Sequence, residues 1–190
     1  MIAIGFRIKS GRAIAVALGG PAAAPTPLTK RIVELSDAKV PATRQPYHDG
    51  FGTAQEDAAV IARLVKTITA SGKRSVAALL ESEGLAGQKC RGACLVVGSL
   101  IDPATVGNPH IRAHANEGRL FRTVVEDALQ IHGIGCSVVV DKQLSTEASK
   151  KLRRSEREIK LTVAEWGSIL GAPWRVDEKA AATAAWMALV

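Results

Sequence analysis

The first eighteen residues, MIAIGFRIKSGRAIAVAL, constrain the fold more than any other part of this chain. Two apolar runs, Ile2–Phe6 and Ala13–Leu18, flank a polar stretch, Arg7–Arg12, that contains a Ser-Gly pair. Such runs, separated by a short polar segment with a glycine, are typical of a β-hairpin. The pattern predicts a first strand over about Ile2–Lys9 and a second over about Arg12–Gly19. The fold is therefore expected to contain this antiparallel pair of strands.

Three further strands are predicted downstream. The segment Gly19–Pro27 is rich in proline and glycine, which favours a loop. A third strand is predicted over about Thr29–Ser36. The later stretches Arg91–Leu100 and Cys136–Val140 each contain a continuous apolar run, which favours strands buried on both faces.

Helices are predicted between and after these strands. Thr53 and Glu56 have the spacing of a capping box, so a helix is predicted to start there, to end at Gly72, and to be followed by a short helix over about Ser75–Ser82. A second long helix follows Pro109 and ends near Ile131. The C-terminal part favours three more helices, with these predicted positions: about Thr146–Arg157, Glu158–Leu170, and an alanine-rich helix from an Asp177 cap to Ala188.

The resulting order, β-β-β-α-β-α-β-α, resembles the ribonuclease H-like superfamily, which includes RuvC-like resolvases and actin-like ATPases. Right-handed crossovers place strands four and five parallel to strand one. The predicted fold class is therefore α/β, with a mixed five-stranded sheet flanked by helices, and the 190 residues suit a single domain over 1–190. The long loops Asp37–Gly52 and Ser99–Pro109 then leave one edge of the sheet, where open α/β sheets bind ligands.

The resemblance also implies where catalytic carboxylates should stand, and this sequence departs from that pattern. The first strand of the family ends in Gly-x-Asp, whereas here the triplet is Gly5-Phe6-Arg7. Strand four ends in Val97-Gly98-Ser99-Leu100, and the nearest acid is Asp102. The last helix opens Asp177-Glu178-Lys179-Ala180, with Lys179 in the register of the expected acid. Because cations at these positions repel Mg²⁺, a degenerate metal site is predicted, in the manner of a pseudo-nuclease.

A basic composition favours an anionic partner. The chain has 25 Lys and Arg against 18 Asp and Glu, a net charge of +7. This balance favours nucleic acid or a small anionic ligand, the alternative being ordinary solvated side chains. The anion-binding candidates fall into one group near the predicted edge and one run further along: Arg7, Lys9, Arg112, Arg119 and Arg122, then Lys150, Lys151, Arg153 and Arg154.

Catalysis by loop residues is the second hypothesis. His48 and Asp49 follow Tyr47 in the strand-three loop and offer a general base. A hydrolase or metal-dependent nuclease would build its site from this set of side chains: His48, Asp49, Asp102, His110 and Asp141. The chain has no phosphate-binding loop, nucleophile elbow or dinucleotide fingerprint, so no cofactor is expected.

Metal ligation is considered at the start of the second long helix. His110, His114 and Glu117 are spaced i, i+4 and i+7, so they share one helical face and have ligand types that suit a transition metal. The neighbouring Ala115-Asn116 and Gly118 instead favour a solvated helix start. No metal site is therefore expected from the sequence alone.

The third hypothesis is a structural or interaction protein that assembles through its Ala- and Trp-rich C-terminal helix, including as a homo-oligomer. The three cysteines, Cys90, Cys94 and Cys136, do not suggest a disulfide framework and favour the reducing cytoplasm. No apolar run approaches the ~18 residues of a membrane span, so no membrane partner is expected. The sequence as a whole favours a non-catalytic module that binds nucleic acid or another anion.

Overall fold

A mixed five-stranded sheet forms the centre of the protein, in a computed structural model that describes residues 1–50 and 52–190. The strand order is β3-β2-β1-β4-β5. β2 is antiparallel to both β1 and β3, whereas β1, β4 and β5 are parallel. The predicted sheet is confirmed, with these strand bounds: β1 Ile2–Lys9, β2 Arg12–Gly19, β3 Thr26–Glu34, β4 Cys90–Val97 and β5 Cys136–Val140.

The opening hairpin forms as its sequence predicts. Its register pairs Ile2 with Gly19 and Lys9 with Arg12. Gly11 has a φ of +77° in the turn, a conformation that costs glycine little. The Gly11 carbonyl accepts hydrogen bonds from the backbone N–H groups of Leu35 and Ser36, both at 2.9 Å. These hydrogen bonds hold the turn against the residues that directly follow β3.

In the described residues, five helices cover the two faces of the sheet. α1 and α2 pack on one face, and α3, α4 and α5 pack on the other. Their bounds are as follows: α1 Ala58–Leu80, α2 Pro109–Ile131, α3 Leu144–Leu152, α4 Glu156–Leu170 and α5 Val176–Ala188. No helix in the described part of the chain is both long enough and apolar enough to cross a bilayer.

Side-chain alternation along β1 decides which layer each residue joins. Ile2, Ile4 and Phe6 point into the core formed with α1 and α2. Ala3 points to the opposite core, which is formed with α3 to α5. Because successive strand residues face opposite sides, Arg7 lies on the α5 side of the sheet.

Gly5 lets α5 pack directly against β1. A Cβ atom at Gly5 would lie 1.9 Å from the Ala181 carbonyl oxygen and 2.3 Å from the Ala185 nitrogen. The alanines of α5 are buried by this contact, and Trp186 is 1% exposed. The hypothesis that this helix is an assembly surface is therefore wrong, because its small side chains pack against the sheet.

α1 differs from its prediction at both ends. Its N-cap is Asp57, whose carboxylate accepts hydrogen bonds from the backbone N–H groups of Ala59 and Val60, so the predicted Thr53–Glu56 capping box does not form. The helix also continues through Gly72. A Cβ there would lie 2.2 Å from Cγ1 of Val124 on α2, so this glycine permits close helix packing and does not end the helix.

The loops differ less from their predictions. β3 begins at Thr26, within the stretch predicted as a proline-rich loop, because Thr26 pairs with Gly19 of β2. The loop over 37–52 contains a short 3₁₀ turn, Pro41–Arg44, and residue 51 of this loop lies outside the described residues. The long loop after β4 contains a second 3₁₀ turn, Pro103–Thr105.

Candidate functional site

A cleft of about 800 Å³ opens at the edge of the sheet where β1 and β4 end. Its walls come from the β1–β2 turn, the end of β4, the loop after β3 and the α2 helix. This is the edge at which the sequence predicts a pocket. The residues that matter for its charge and shape are these: Arg7, Lys9, Arg12, Glu34, Arg44, Gly98, Ser99 and His114.

Arg7 lies between two carboxylates at the floor of this edge. Its Nη2 donates to Oδ2 of Asp141 at 2.9 Å, and its Nε donates to Oδ1 of Asp177 at 3.2 Å. The Arg7 side chain is 9% exposed, whereas the carboxylates are 41% and 30% exposed. Asp141 directly follows β5, and Asp177 lies in the first turn of α5. Three elements that are distant in sequence therefore meet at one guanidinium.

Asp177 has a different role from the one predicted. The N-cap of α5 is Arg175, so the predicted capping by Asp177 is wrong. Oδ1 of Asp177 also lies 3.3 Å from the Lys9 ammonium, so this carboxylate contacts two cations of β1. Lys179, which the sequence places in the register of a family acid, is exposed, and Asp177 faces Arg7 instead.

The cleft has an excess of positive charge. Arg7, Lys9, Arg12 and Arg44 line it, and Glu34 is the acid among the lining residues. Nη1 of Arg7 is buried and has no hydrogen-bond partner among the described residues. A buried guanidinium N–H without a partner is costly, and an anionic oxygen would satisfy it. The arrangement is suited to a phosphate or carboxylate group.

The arginines of α2 are located around a smaller neighbouring cleft of about 270 Å³. Arg119 and Arg122 line it together with Ser99, which both clefts share. Arg119 lies 3.7 Å from Asp102, and Arg122 lies 3.5 Å from Glu126. Arg112 is exposed and donates to the Gly107 carbonyl at 3.4 Å.

The basic run Lys150–Arg154 lies at the other end of the strands. Lys151, Arg153 and Arg154 line a hollow together with Ala22 and Ala23. These two alanines follow Gly19, the last residue of β2, which pairs with Ile2 at the start of β1. Arg154 donates to the Ala23 carbonyl at 3.0 Å and stacks on Trp186 at 5.3 Å. The nine anion-binding candidates therefore do not form one surface, because this run and Arg7 lie at opposite edges of the sheet.

The loop-built catalytic set is likewise divided. Asp141 pairs with Arg7, and Asp102 accepts from the backbone N–H of Ala104 as the cap of a 3₁₀ turn. Asp49 is exposed, and its neighbour His48 contacts Glu117 instead. Of the five residues, His48 and His110 come together, with ring centroids 5.2 Å apart.

Glu117 is the candidate residue whose surroundings differ most from the sequence prediction. A solvated helix start is predicted there, but Glu117 is 1% exposed. Its Oε1 lies 2.8 Å from Nδ1 of His48, and its Oε2 lies 3.8 Å from Nδ1 of His114. The i, i+4, i+7 spacing indicated the helical side of this cluster. The contribution of His48, which comes from a loop 69 residues away, has no local sequence signal.

The cysteines do not supply a reactive thiolate to the basic cleft or to the cluster around Glu117. All three are free, and Cys94 is buried. Burial raises the pKa of the Cys90, Cys94 and Cys136 thiols above the ordinary value of 9.0. The thiols therefore stay protonated at neutral pH, which suits packing and not nucleophilic catalysis.

Comparison with known proteins relates this geometry to a fold. No protein-family model matches the sequence, and no curated protein matches it. Among solved structures, RuvC of Thermus thermophilus superposes with a TM-score of 0.55 at 12% identity, covering 98% of this chain and 92% of that one. Thermus thermophilus RuvC in complex with a Holliday junction substrate gives 0.54 at 13% identity, covering 98% and 91%. The chain therefore has the ribonuclease H-like fold of RuvC, as its strand order predicts.

Proposed function

We propose that this protein is a non-catalytic nucleic-acid-binding module that takes the phosphate backbone into the basic cleft at the carboxyl edge of its sheet. The observation that carries the proposal is Arg7, which is buried between Asp141 and Asp177 where the family's first strand carries an acid. The proposal has two parts, the loss of metal-dependent cleavage and the retention of anion binding.

The residues at this position do not fit the divalent metal ions used by nucleases of this fold. Two cations about 3.5–4 Å apart require several carboxylates free to coordinate them. Here both available carboxylates already bind the Arg7 guanidinium, and Lys9 adds a second positive charge beside Asp177. The end of β4 contributes Val97, Gly98 and Ser99 to the cleft, none of which is an acid. Like charges at this distance repel, so a divalent ion is disfavoured.

The same residues suit a phosphate. Nε and Nη2 of Arg7 already donate to Asp177 and Asp141, and Nη1 has no partner in the described structure, so one phosphate oxygen would complete the hydrogen bonds of this guanidinium. Arg12 and Arg44 are exposed on the cleft walls, where they can contact neighbouring phosphates. The RuvC structure with a Holliday junction makes a four-way DNA junction a reasonable probe beside simple strands.

The test is fluorescence anisotropy with labelled single-stranded, double-stranded and four-way-junction DNA and with RNA, from low to moderate salt. Each tube is run with and without Mg²⁺ or Mn²⁺ and is also scored for cleavage. We expect salt-sensitive binding without cleavage, because phosphate contacts release counterions. Cleavage that requires the metal would overturn the non-catalytic part, and absence of binding at low salt would overturn the nucleic-acid part.

Charge-reversal variants at the two edges locate the binding surface. Arg12→Glu combined with Arg44→Glu should weaken binding and lower the slope of log K against log salt by about 1 for each lost phosphate contact. The matched control is Lys150→Glu combined with Lys151→Glu, which changes the charge equally at the opposite edge. If the control variant loses the binding and the cleft variant keeps it, the cleft is not the nucleic-acid surface.

A further inference from the structure

Three of the four histidines in the chain converge outside the basic floor of the cleft. His110 and His114 lie one turn apart on α2, and His48 reaches them from the loop after β3. One nitrogen from each ring lies within 4.8 Å of the other two. Nε2 of His110 and Nε2 of His114 are 3.3 Å apart. Two nitrogens on one tetrahedral zinc ion, each with a bond of about 2.0–2.1 Å, are separated by about 3.3 Å.

Glu117 orients the His48 ring through a hydrogen bond and lies near the His114 ring. Its carboxylate contacts Nδ1 of His48 at 2.8 Å and approaches Nδ1 of His114 at 3.8 Å. In both rings the Nδ1 side therefore faces the carboxylate, which leaves Nε2 on the far side. Metal-binding histidines are commonly held in this way, with a carboxylate on one ring nitrogen and the metal on the other.

Three buried polar atoms of this cluster have no hydrogen-bond partner among the described residues. The His48 side chain is 6% exposed, and its Nε2 has no hydrogen-bond partner among the described residues. Oε2 of Glu117 and Nδ1 of His110 are buried and likewise lack a partner there. Since buried polar atoms are nearly always satisfied, three such atoms in one cluster require an explanation. A cation at the Nε2 side supplies it for His48 and compensates the buried charge of Glu117.

We propose that His48, His110 and His114 bind one divalent transition-metal ion, of the zinc class, with Glu117 as the carboxylate that positions the His48 ring. Imidazole ligands select zinc, cobalt, nickel or copper, whereas magnesium prefers oxygen. Three protein ligands leave a fourth position for water or an anionic group. Because His114 also lines the basic cleft, the ion lies beside the surface proposed for phosphate. A bound metal ion would also hold the loop that contains His48 against α2, because its ligands come from both elements.

The test uses the full chain without a polyhistidine tag, freed of metal by a chelator and titrated with Zn²⁺ by calorimetry in the absence of nucleic acid. We expect one ion per chain, a rise in the melting temperature, and a tetrahedral Co²⁺ spectrum on substitution. A Mg²⁺ titration should give none of these. Failure to bind Zn²⁺ at this stoichiometry would overturn the metal site and leave the anisotropy test of the nucleic-acid proposal unaffected.

Variants separate a specific site from surface binding by histidine. His110→Ala combined with His114→Ala should abolish Zn²⁺ binding and the thermal shift; the His114 side chain is 52% exposed, so folding should survive. His132→Ala, which changes the remaining histidine at the end of α2, should leave both unchanged. Glu117→Gln should weaken Zn²⁺ affinity about 10–100-fold, because the orienting charge is lost. Equal Zn²⁺ affinity in the double variant and the wild type would overturn the assignment.

Discussion

Arg7 and Glu117 are buried ionisable residues of opposite sign, and their surroundings differ in a way that explains their separate roles. Arg7 has two carboxylate partners with N–O distances of 2.9 and 3.2 Å. Glu117 has histidine partners and one oxygen without a hydrogen bond in the described structure. The guanidinium already has its counter-charges, whereas the carboxylate cluster has unused ligand atoms.

The comparison teaches that one fold can balance a buried charge with an ion pair at one position and gather histidine rings around a buried carboxylate at another. At the floor of the cleft a side chain of the protein supplies the positive charge. At the histidine cluster the buried Glu117 carboxylate contacts the His48 ring, beside the position where we propose a metal ion. Charge compensation at a buried group is required in both places, since an unpaired buried charge is very costly.

The largest expected effect comes from adding a side chain where β1, which carries Arg7, packs against α5. Gly5→Ala places a Cβ against the backbone of α5, 1.9 Å from the Ala181 carbonyl, so the helix that carries Asp177 must move. We expect a loss of about 4 kcal/mol or more in the free energy of unfolding, measured by urea denaturation. Gly118→Ala is the matched control on α2 beside Glu117. Its Cβ meets nothing within 4 Å, so it should stabilise by about 0.5–1 kcal/mol.

A smaller effect is expected from removing the Arg7 charge. Arg7→Met leaves Asp141 and Asp177 without their shared partner and should cost about 1–3 kcal/mol of unfolding free energy, since both carboxylates are partly exposed. Lys9→Met, at a side chain that is 41% exposed, should cost no more than about 1 kcal/mol. Equal losses in the two variants would mean that burial does not distinguish Arg7.

The Arg7→Met protein also tests directly the proposal that Arg7 excludes a divalent ion. With the guanidinium gone, Asp141 loses its cation and Asp177 keeps only Lys9, so the two carboxylates bind a divalent ion more readily. Mn²⁺ should therefore raise the melting temperature of the variant more than that of the wild type, because a ligand that binds the folded state stabilises it. Equal shifts in both proteins would show that Arg7 does not exclude the ion.

The two partners of Arg7 should be unequal. Asp177 contacts Arg7 and Lys9 and lies in the first turn of α5, where a negative charge interacts favourably with the helix dipole. Asp177→Asn should therefore cost about 1 kcal/mol, and Asp141→Asn about 0.5 kcal/mol, in thermal or urea unfolding. A larger loss of unfolding free energy for Asp141→Asn would show that Asp141, which follows β5, is the stronger partner of Arg7.

The smallest effect reports on the charge of Glu117. Burial raises the pKa of Tyr47 above 10.0, the negative charge of Glu117 raises it further, and Arg119 lowers it. Glu117→Gln should lower this pKa, as followed by phenolate absorbance of the single tyrosine in the chain. The unfolded chain releases the Tyr47 proton first, so stability should fall as the pH rises above about 10. An unchanged pKa in the variant would indicate that Glu117 carries no charge near Tyr47.

The sequence by itself determined the framework of this protein. Two apolar runs and the polar Ser-Gly turn between them specify the opening hairpin over Ile2–Lys9 and Arg12–Gly19, because both signals are local. The same is true of the strand Cys136–Val140 and of the start of α2 at Pro109, although β5 is an edge strand and only Val139 and Val140 are buried. The replacement of the expected acid by Arg7 is also visible in the sequence, since it needs only the position of one residue in one strand.

Only the tertiary structure decided which charges meet. Arg7 is 134 residues from Asp141 and 170 from Asp177, and His48 is 69 from Glu117. Sequence periodicity reports which face of an element is apolar, but it carries no information on which distant polar side chain that face opposes. The continuity of α1 through Gly72 has the same origin, because the glycine is explained by Val124 on another helix. Local patterns thus set the elements, whereas packing between them set the ion pairs, the basic cleft and the histidine cluster.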